Sequence, residues 1–271
     1  MSLKGLIDTH VHSGPDVRER KTTSYELARA ARDASMRAIV LKNHHCSTVP
    51  LAAALSEALP GIGVRGGLVL NRAVGGWNVE AVDAALKMGA VEIWMPTLSA
   101  ENERAFRGSP GTGMKALDPE GRLLLEVVDI VRRVARAGAV LGTGHLSPSE
   151  TAAVVAAARE QGVRAILVTH PEINFIAMPP ETQRLLAGPG LFFERCFCRA
   201  GFHRDWRGMA TDIRAGGVES TVLATDLGQP DNLHPIEGLE VFVQRMTAEG
   251  FSPSEIERMT AANPAMVLGL E

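Results

Sequence analysis

Eight short apolar runs, each followed by a segment with helical periodicity, constrain the fold of this chain more than any other feature. The runs are 5–11, 37–41, 64–70, 91–95, 139–142, 165–168, 191–193 and 220–224. Each is a nearly continuous string of Val, Ile, Leu and Ala. That is the pattern of parallel strands covered on both faces, whereas half-exposed strands alternate apolar and polar residues. Between them lie Ala-rich amphipathic segments at 25–35, 50–59, 79–88, 120–137, 149–161 and 180–186. Gly61, Gly89, Gly138, Gly162 and Gly188 follow several of these segments closely, as helix C-termini require. Ser147-Pro148-Ser149-Glu150 and Ser252-Pro253-Ser254-Glu255 supply a capping hydroxyl and a first-turn proline, and so read as helix starts.

Strand and helix in strict alternation mean a parallel sheet with helical crossovers. Eight such units predict an α/β fold, a (β/α)8 TIM barrel that can be distorted, in one domain over 1–271. The alternative is an open doubly wound sheet. That fold opens with a glycine-rich phosphate turn, whereas Ser13-Gly14-Pro15 is no such fingerprint. The long irregular stretches are 99–119 and 198–208. Gly, Pro, Ser and Thr crowd 108–113, which reads as a flexible loop able to cover a site.

Composition removes several function classes. The 271 residues carry a net charge of -3, with no long basic or acidic run, so neither nucleic acid nor an anionic membrane is an expected partner. No apolar run is long enough to span a bilayer. The chain enters a strand almost at once, which leaves no room for a signal peptide. Cys46, Cys196 and Cys198 are too few for a disulfide framework and point to a reducing, cytoplasmic setting. Cys196 and Cys198 read as small buried core residues. Trp77 and Trp94 read as packing residues.

In a barrel, all strand C-terminal ends meet at one mouth, and the polar residues collected there are specific. The first strand ends in Asp8-Thr9-His10-Val11-His12, and residues two apart on a strand share a face. The second run leads into Lys42, Asn43, His44 and His45, and the third into Asn71 and Arg72. The fifth leads to His145, the sixth to His170, the seventh to Glu194 and Arg195, and the eighth to Asp226. Six of the eight histidines fall at such ends. Neutral imidazoles with a carboxylate are the donor set of a zinc-type ion that keeps one position open for water.

This order of residues resembles the amidohydrolase superfamily of metal-dependent hydrolases over nearly the whole chain. In that family a His-x-His ends the first strand, histidines end the fifth and sixth, and an Asp ends the eighth. His10, His12, His145, His170 and Asp226 take those places here. The tail Asn263-Pro264-Ala265-Met266-Val267-Leu268-Gly269-Leu270 is similar to the family's closing helix. The resemblance implies a divalent ion, zinc first with manganese or iron as alternatives, and a water activated for attack on an amide, ester, lactone or cyclic imide. It gives Asp226 the role of proton acceptor, with His145 and Lys42 as further catalytic candidates.

One departure from the family stands out. Many binuclear members carry a carboxylated Lys or a Glu at the end of the fourth strand, but here that strand ends in Pro96-Thr97. Glu92 lies at its start, the wrong end of the barrel. Lys42, if carboxylated, or Glu194 are the substitutes for a bridge between two ions, and otherwise the site holds one. Asp16, Arg18, His44, His45 and Arg72 are the candidate substrate contacts. Lys42, Arg72, Arg195, Arg199 and Arg204 favour an anionic small molecule. His203 and His234 fall in polar loops and read as surface residues. A homo-oligomer is an expectation from barrel size alone. A decarboxylase of the same superfamily, or a barrel that binds a metabolite without turnover, are the competing functions.

Overall fold

The structure is a computed structural model and describes residues 2–197 and 206–270. Cys198, Arg199, His203 and Arg204 therefore lie outside the described residues. The strands are β1 (Ile7–Val11), β2 (Ala38–Leu41), β3 (Gly63–Val69), β4 (Glu92–Trp94), β5 (Val140–Gly142), β6 (Ala165–Thr169), β7 (Leu191–Cys196) and β8 (Thr221–Ala224). They pair in parallel in sequence order. The helices are α1 (Ser24–Asp33), α2 (Val49–Ala58), α3 (Val79–Lys87), α4 (Glu101–Phe106), α5 (Leu125–Ala137), α6 (Pro148–Glu160), α7 (Pro180–Leu186), α8 (Trp206–Gly216), α9 (Pro235–Ala248), α10 (Pro253–Glu257) and α11 (Asn263–Leu268). The eight-stranded sheet closes into a (β/α)8 barrel, as the alternation predicts.

Closure is made at the C-terminal end. Val11 pairs with Leu227, and the N–H groups of His12 and Asp226 donate to the carbonyls of Leu227 and His10 at 2.7 and 2.8 Å. Buried Asp8 accepts from the N–H groups of His10 and Thr225 at 3.2 and 3.0 Å, which stitches β1 to β8. Gly228 is obligatory here. Its φ is +138°, and a Cβ would run into the carbonyl and side chain of His12.

The period of two sorts side chains between the barrel interior and the helix layer. Ile7, Val40, Val69, Trp94, Val140, Leu167, Phe192 and Val222 fill the interior together with residues of α11. Their outward neighbours, such as Ile39, Ile93, Leu141 and Ile166, pack beneath the helices. The capping signals also hold. Ser147 and Ser252 each form a capping box, with Glu150 and Glu255. Asn263 Nδ2 donates to the carbonyls of Val218 and Thr221, both at 2.7 Å, and ties the closing helix to β8. Among the described residues no helix is long and apolar enough to cross a membrane.

Two expectations need correction. The 99–119 stretch is not wholly irregular, because it contains α4. Glu101 on that helix accepts the N–H groups of Gly111 and Gly113, so 108–113 is fastened to α4 and does not line the site. Cys196 is buried, as read, and Cys46 is exposed.

Candidate metal centre

A cavity of about 510 Å³ opens at the C-terminal end of the barrel, lined in part by His10, His12, His44, His145, His170 and Asp226. Topology brings them together from five strand ends. His10 Nε2 and His12 Nε2 each lie 3.1 Å from the same oxygen, Oδ1 of Asp226. Those three ligand atoms all fall within 4.8 Å of one another. His10 Nε2 is buried and makes no hydrogen bond. Such an orphaned nitrogen facing a carboxylate fits a divalent ion. Across the cavity, the His145 and His170 rings are 4.8 Å apart, and His170 is 6.0 Å from His10. Two of these strand-end residues, His170 and Asp226, have positive φ (+28° and +51°), a strained backbone of the kind found at functional sites.

Glu194 belongs to the interior beneath the ligands. Its Oε2 meets His10 Nδ1 at 3.0 Å, and its Oε1 accepts the Thr9 hydroxyl at 2.7 Å. With the His10 proton held on Nδ1, the Nε2 lone pair is free for a ligand. Glu194 also forms a second candidate group with His10 and Cys196, whose ligand atoms all lie within 4.8 Å of one another. Cys196 Sγ is 3.9 Å from His10 Nδ1 on the same side.

Lys42 also points inward, as its spacing of two from Val40 dictates. It is buried, does not line the cavity, and rests 5.1 Å above the Trp94 ring with no hydrogen-bond partner for Nζ. Glu92 shares this interior layer, fully buried below the mouth, and its two oxygens also lack partners.

The electrostatics follow from burial set against these contacts. Burial raises the Asp226 carboxyl, but the nearby His10 and His12 outweigh it and hold it well below the usual carboxylate range. Burial and Lys42 push His10 down; Asp226 and Glu194 more than offset them, and the net shift is upward. Burial lowers His12 to about 4, against the opposing pull of Asp226. Burial also lowers His145 and drives His44 and His170 well below the ordinary histidine value. Burial thus favours neutral imidazoles at His12, His145 and His170, the form that binds a metal, whereas the carboxylates beside His10 favour its protonated form.

Several contributors escaped the sequence. Glu103 on α4 is buried, and its carboxylate meets His145 Nδ1 at 2.5 Å while holding Arg107. Burial would raise this carboxyl, but the bonds to His145 and Arg107 bring it down to about 2. Asn102, one residue earlier, donates to the carbonyls of His145 and Phe175 and locks α4 across the site. Phe175 packs 4.8 Å from the His145 ring. Arg20 lines the cavity, and its Nη2 approaches His12 Nδ1 at 3.4 Å. The run 101–106 mixes helix formers (Glu, Arg, Ala) with Asn and Phe, and carries acids in its first turn, a signal too short to register as periodicity.

The remaining candidates divide. Arg18 and His44 line the cavity. Asp16 does not; its buried carboxylate holds Arg20 and His45 from behind. His45 is likewise off the wall. Arg72 is exposed and away from the cavity, in the turn Arg72–Val74 that follows β3 after Leu70 and Asn71. Arg195 points outward, opposite to Glu194, and is paired with Glu172 and Gln183 in the helix layer. His234 caps α9, accepting the Ile236 N–H.

Comparison with known proteins adds a family and a fold. A family model described as a family of unknown function, DUF6282, matches residues 5–194. No curated protein matches. Among solved structures, an amidohydrolase from Pseudomonas aeruginosa is similar over 98% of this chain and 95% of its own, at 11% identity and a TM-score of 0.70. A dihydropyrimidinase from Brevibacillus agri is similar over 99% and 71%, at 13% identity and 0.62. A 2,6-dihydroxybenzoate decarboxylase, solved with 2,6-dihydroxybenzoate, is similar over 98% and 100%, at 11% identity and 0.57. At these identities what is shared is the barrel.

Proposed function

We propose that this chain, which belongs to the family DUF6282, is a metal-dependent hydrolase of a small molecule. The observation that carries the reading is the convergence of His10 Nε2 and His12 Nε2 on one oxygen of Asp226 in the barrel mouth. A divalent ion, zinc before manganese or iron, would be held by His10, His12 and Asp226, with His145 and His170 facing it. When bound, it supplies Lewis acidity and lowers the pKa of water to about 7. Glu194 and Glu103 keep His10 and His145 oriented. Asp226, ionised at neutral pH, accepts the proton of the attacking water and returns it to the leaving group.

Arg18, Arg20 and Arg107 at the rim, with Leu98, Ile173 and Phe175 on the wall, suit an anionic substrate with an apolar body. Amide, ester, lactone and cyclic imide bonds are the targets. The shared fold with a decarboxylase supports a second reading, in which Asp226 moves a proton at carbon and carbon dioxide is released. A panel of carboxylated amides, esters, lactones, imides and aromatic acids, assayed with zinc and with chelator, separates the two. Chelator-sensitive hydrolysis supports the first reading and carbon dioxide release the second. Turnover that survives complete metal removal contradicts both.

A further inference from the structure

His44 is buried and lines the cavity, its ring 4.8 Å from that of His12 and 6.3 Å from that of His145. It therefore sits among the proposed ligands. The hydrogen bonds behind it decide which of its nitrogens carries the proton. Asn71 Oδ1 accepts the N–H groups of Thr97 and Ser99 at 2.9 and 3.0 Å, which settles which end of its amide is oxygen. Its Nδ2 then donates to the His44 carbonyl at 3.0 Å and to Thr97 Oγ1 at 2.7 Å.

Thr97 is fully buried, so its own proton needs an acceptor. Among the described residues, the other side-chain partner of Thr97 Oγ1 is His44 Nδ1, at 2.8 Å. Thr97 must donate to it, because a proton on Nδ1 would strand the buried hydroxyl hydrogen. The neutral ring then carries its proton on Nε2, on the side away from Thr97.

We propose that His44 is a fixed hydrogen-bond donor of the site, presenting Nε2–H to an oxygen of the substrate's reacting carbonyl or carboxylate. The proton stays on the ring, and the bond stabilises negative charge developing on that oxygen. A nitrogen committed as a donor has no lone pair to offer, so His44 stands outside the ligand set although it touches it. Thr97 and Asn71 are positioning residues that set the tautomer. The inference rests on the metallohydrolase reading only for the identity of the oxygen; the tautomer stands without it.

Nitrogen-15 NMR of histidine-labelled protein, metal-free and zinc-loaded, reads the tautomer directly. The expected result at pH 7 is a bare Nδ1 and a protonated Nε2 on His44 in the wild type and in Thr97→Ser, with Thr97→Val losing that preference. A protonated Nδ1 in the wild type overturns the proposal, and so does an unaltered tautomer in a folded Thr97→Val. If Thr97→Val does not fold, the wild type and Thr97→Ser still decide.

The donor role is read by calorimetric titration of the zinc-loaded protein with acetohydroxamate, which brings a carbonyl oxygen to the ion. His44→Phe should bind it about tenfold more weakly, as the loss of one buried hydrogen bond implies. His44→Asn, which keeps an N–H donor, should recover part of that loss. Equal binding by wild type and His44→Phe, including binding by neither, removes the donor role. Zinc lost from His44→Phe alone would make His44 a ligand and overturn the proposal. Zinc bound by no form of the protein would instead sink the proposed function and leave the tautomer result standing.

Discussion

The two sides of the mouth are built differently. On the β1 and β8 side, His10, His12 and Asp226 stand at strand ends that the backbone locks together through Val11 and Leu227. On the β5 and β6 side, His145 and His170 also follow strands, but His145 depends on a helix laid across the loops. Glu103 and Asn102 of α4 supply that support. The first side draws its geometry from barrel closure, which any (β/α)8 chain must achieve. The second draws it from the six residues of α4, which lies in the loop region after β4. Metal holding is therefore expected on the rigid side, and substrate selection on the side α4 controls.

The largest effect should follow from damage to the rigid side. Asp226→Asn keeps the shape and removes the charge that both histidines face. The expected loss is about a thousandfold in kcat at saturating metal, the range of a lost general base. A loss under tenfold would show that Asp226 carries no proton. On the other side, Glu103→Gln should cost about 10- to 100-fold in activity or metal affinity through a loosened His145, with the circular dichroism spectrum unchanged. If Glu103→Gln matches Asp226→Asn, the distinction between the two sides fails.

Glu103 also makes a prediction about acid. Its carboxyl is held at about 2, below the ordinary 4.5, so the folded state binds fewer protons than the unfolded one in between. The stability it contributes is complete above pH 4.5 and is lost as pH falls toward 2. Denaturation of metal-free protein should show the wild type ahead of Glu103→Gln at pH 5 and the two converging near pH 2. A gap that does not change with pH would remove the ionised pair from the account.

The barrel interior separates packing from chemistry. A Cβ on Gly142 would overlap Trp94 and the Glu92 carboxyl. Gly142→Ala should therefore destabilise the fold by about 1–3 kcal/mol, read by thermal melting, with the metal content of the folded protein unchanged. The smallest effect belongs to Arg72. It is exposed and off the cavity, and Arg72→Ala should leave KM and kcat within about twofold of the wild type.

The rigid side was legible in the sequence, because strand ends are set by topology and the period of two gives most side chains their direction; in β1 a register shift between Asp8 and Val11 breaks that period and lets adjacent Thr9 and His10 both reach Glu194. That rule placed Glu194 and Arg195 on opposite faces, and it carries Lys42 into the interior from Val40. It did not tell a ligand from the residue behind it. Glu194 reads as a ligand in sequence, and the structure gives it both a contact to His10 Nδ1 and a place in a candidate group with His10 and Cys196. Asp16 reads as a substrate contact and serves instead to hold Arg20. Glu103 had no signal of its own, since a helix of under two turns shows no period and its partner lies 42 residues away. Arg72 was misplaced because a strand's last residue says nothing about the turn that follows it.

The most direct test of the central claim is the metal content of protein purified without chelator or an affinity metal column, set beside His10→Ala. The account predicts at least one equivalent of a divalent transition metal per chain in the wild type and its loss from a folded His10→Ala. A folded wild type that holds no metal and takes up none from zinc, manganese or iron would contradict it.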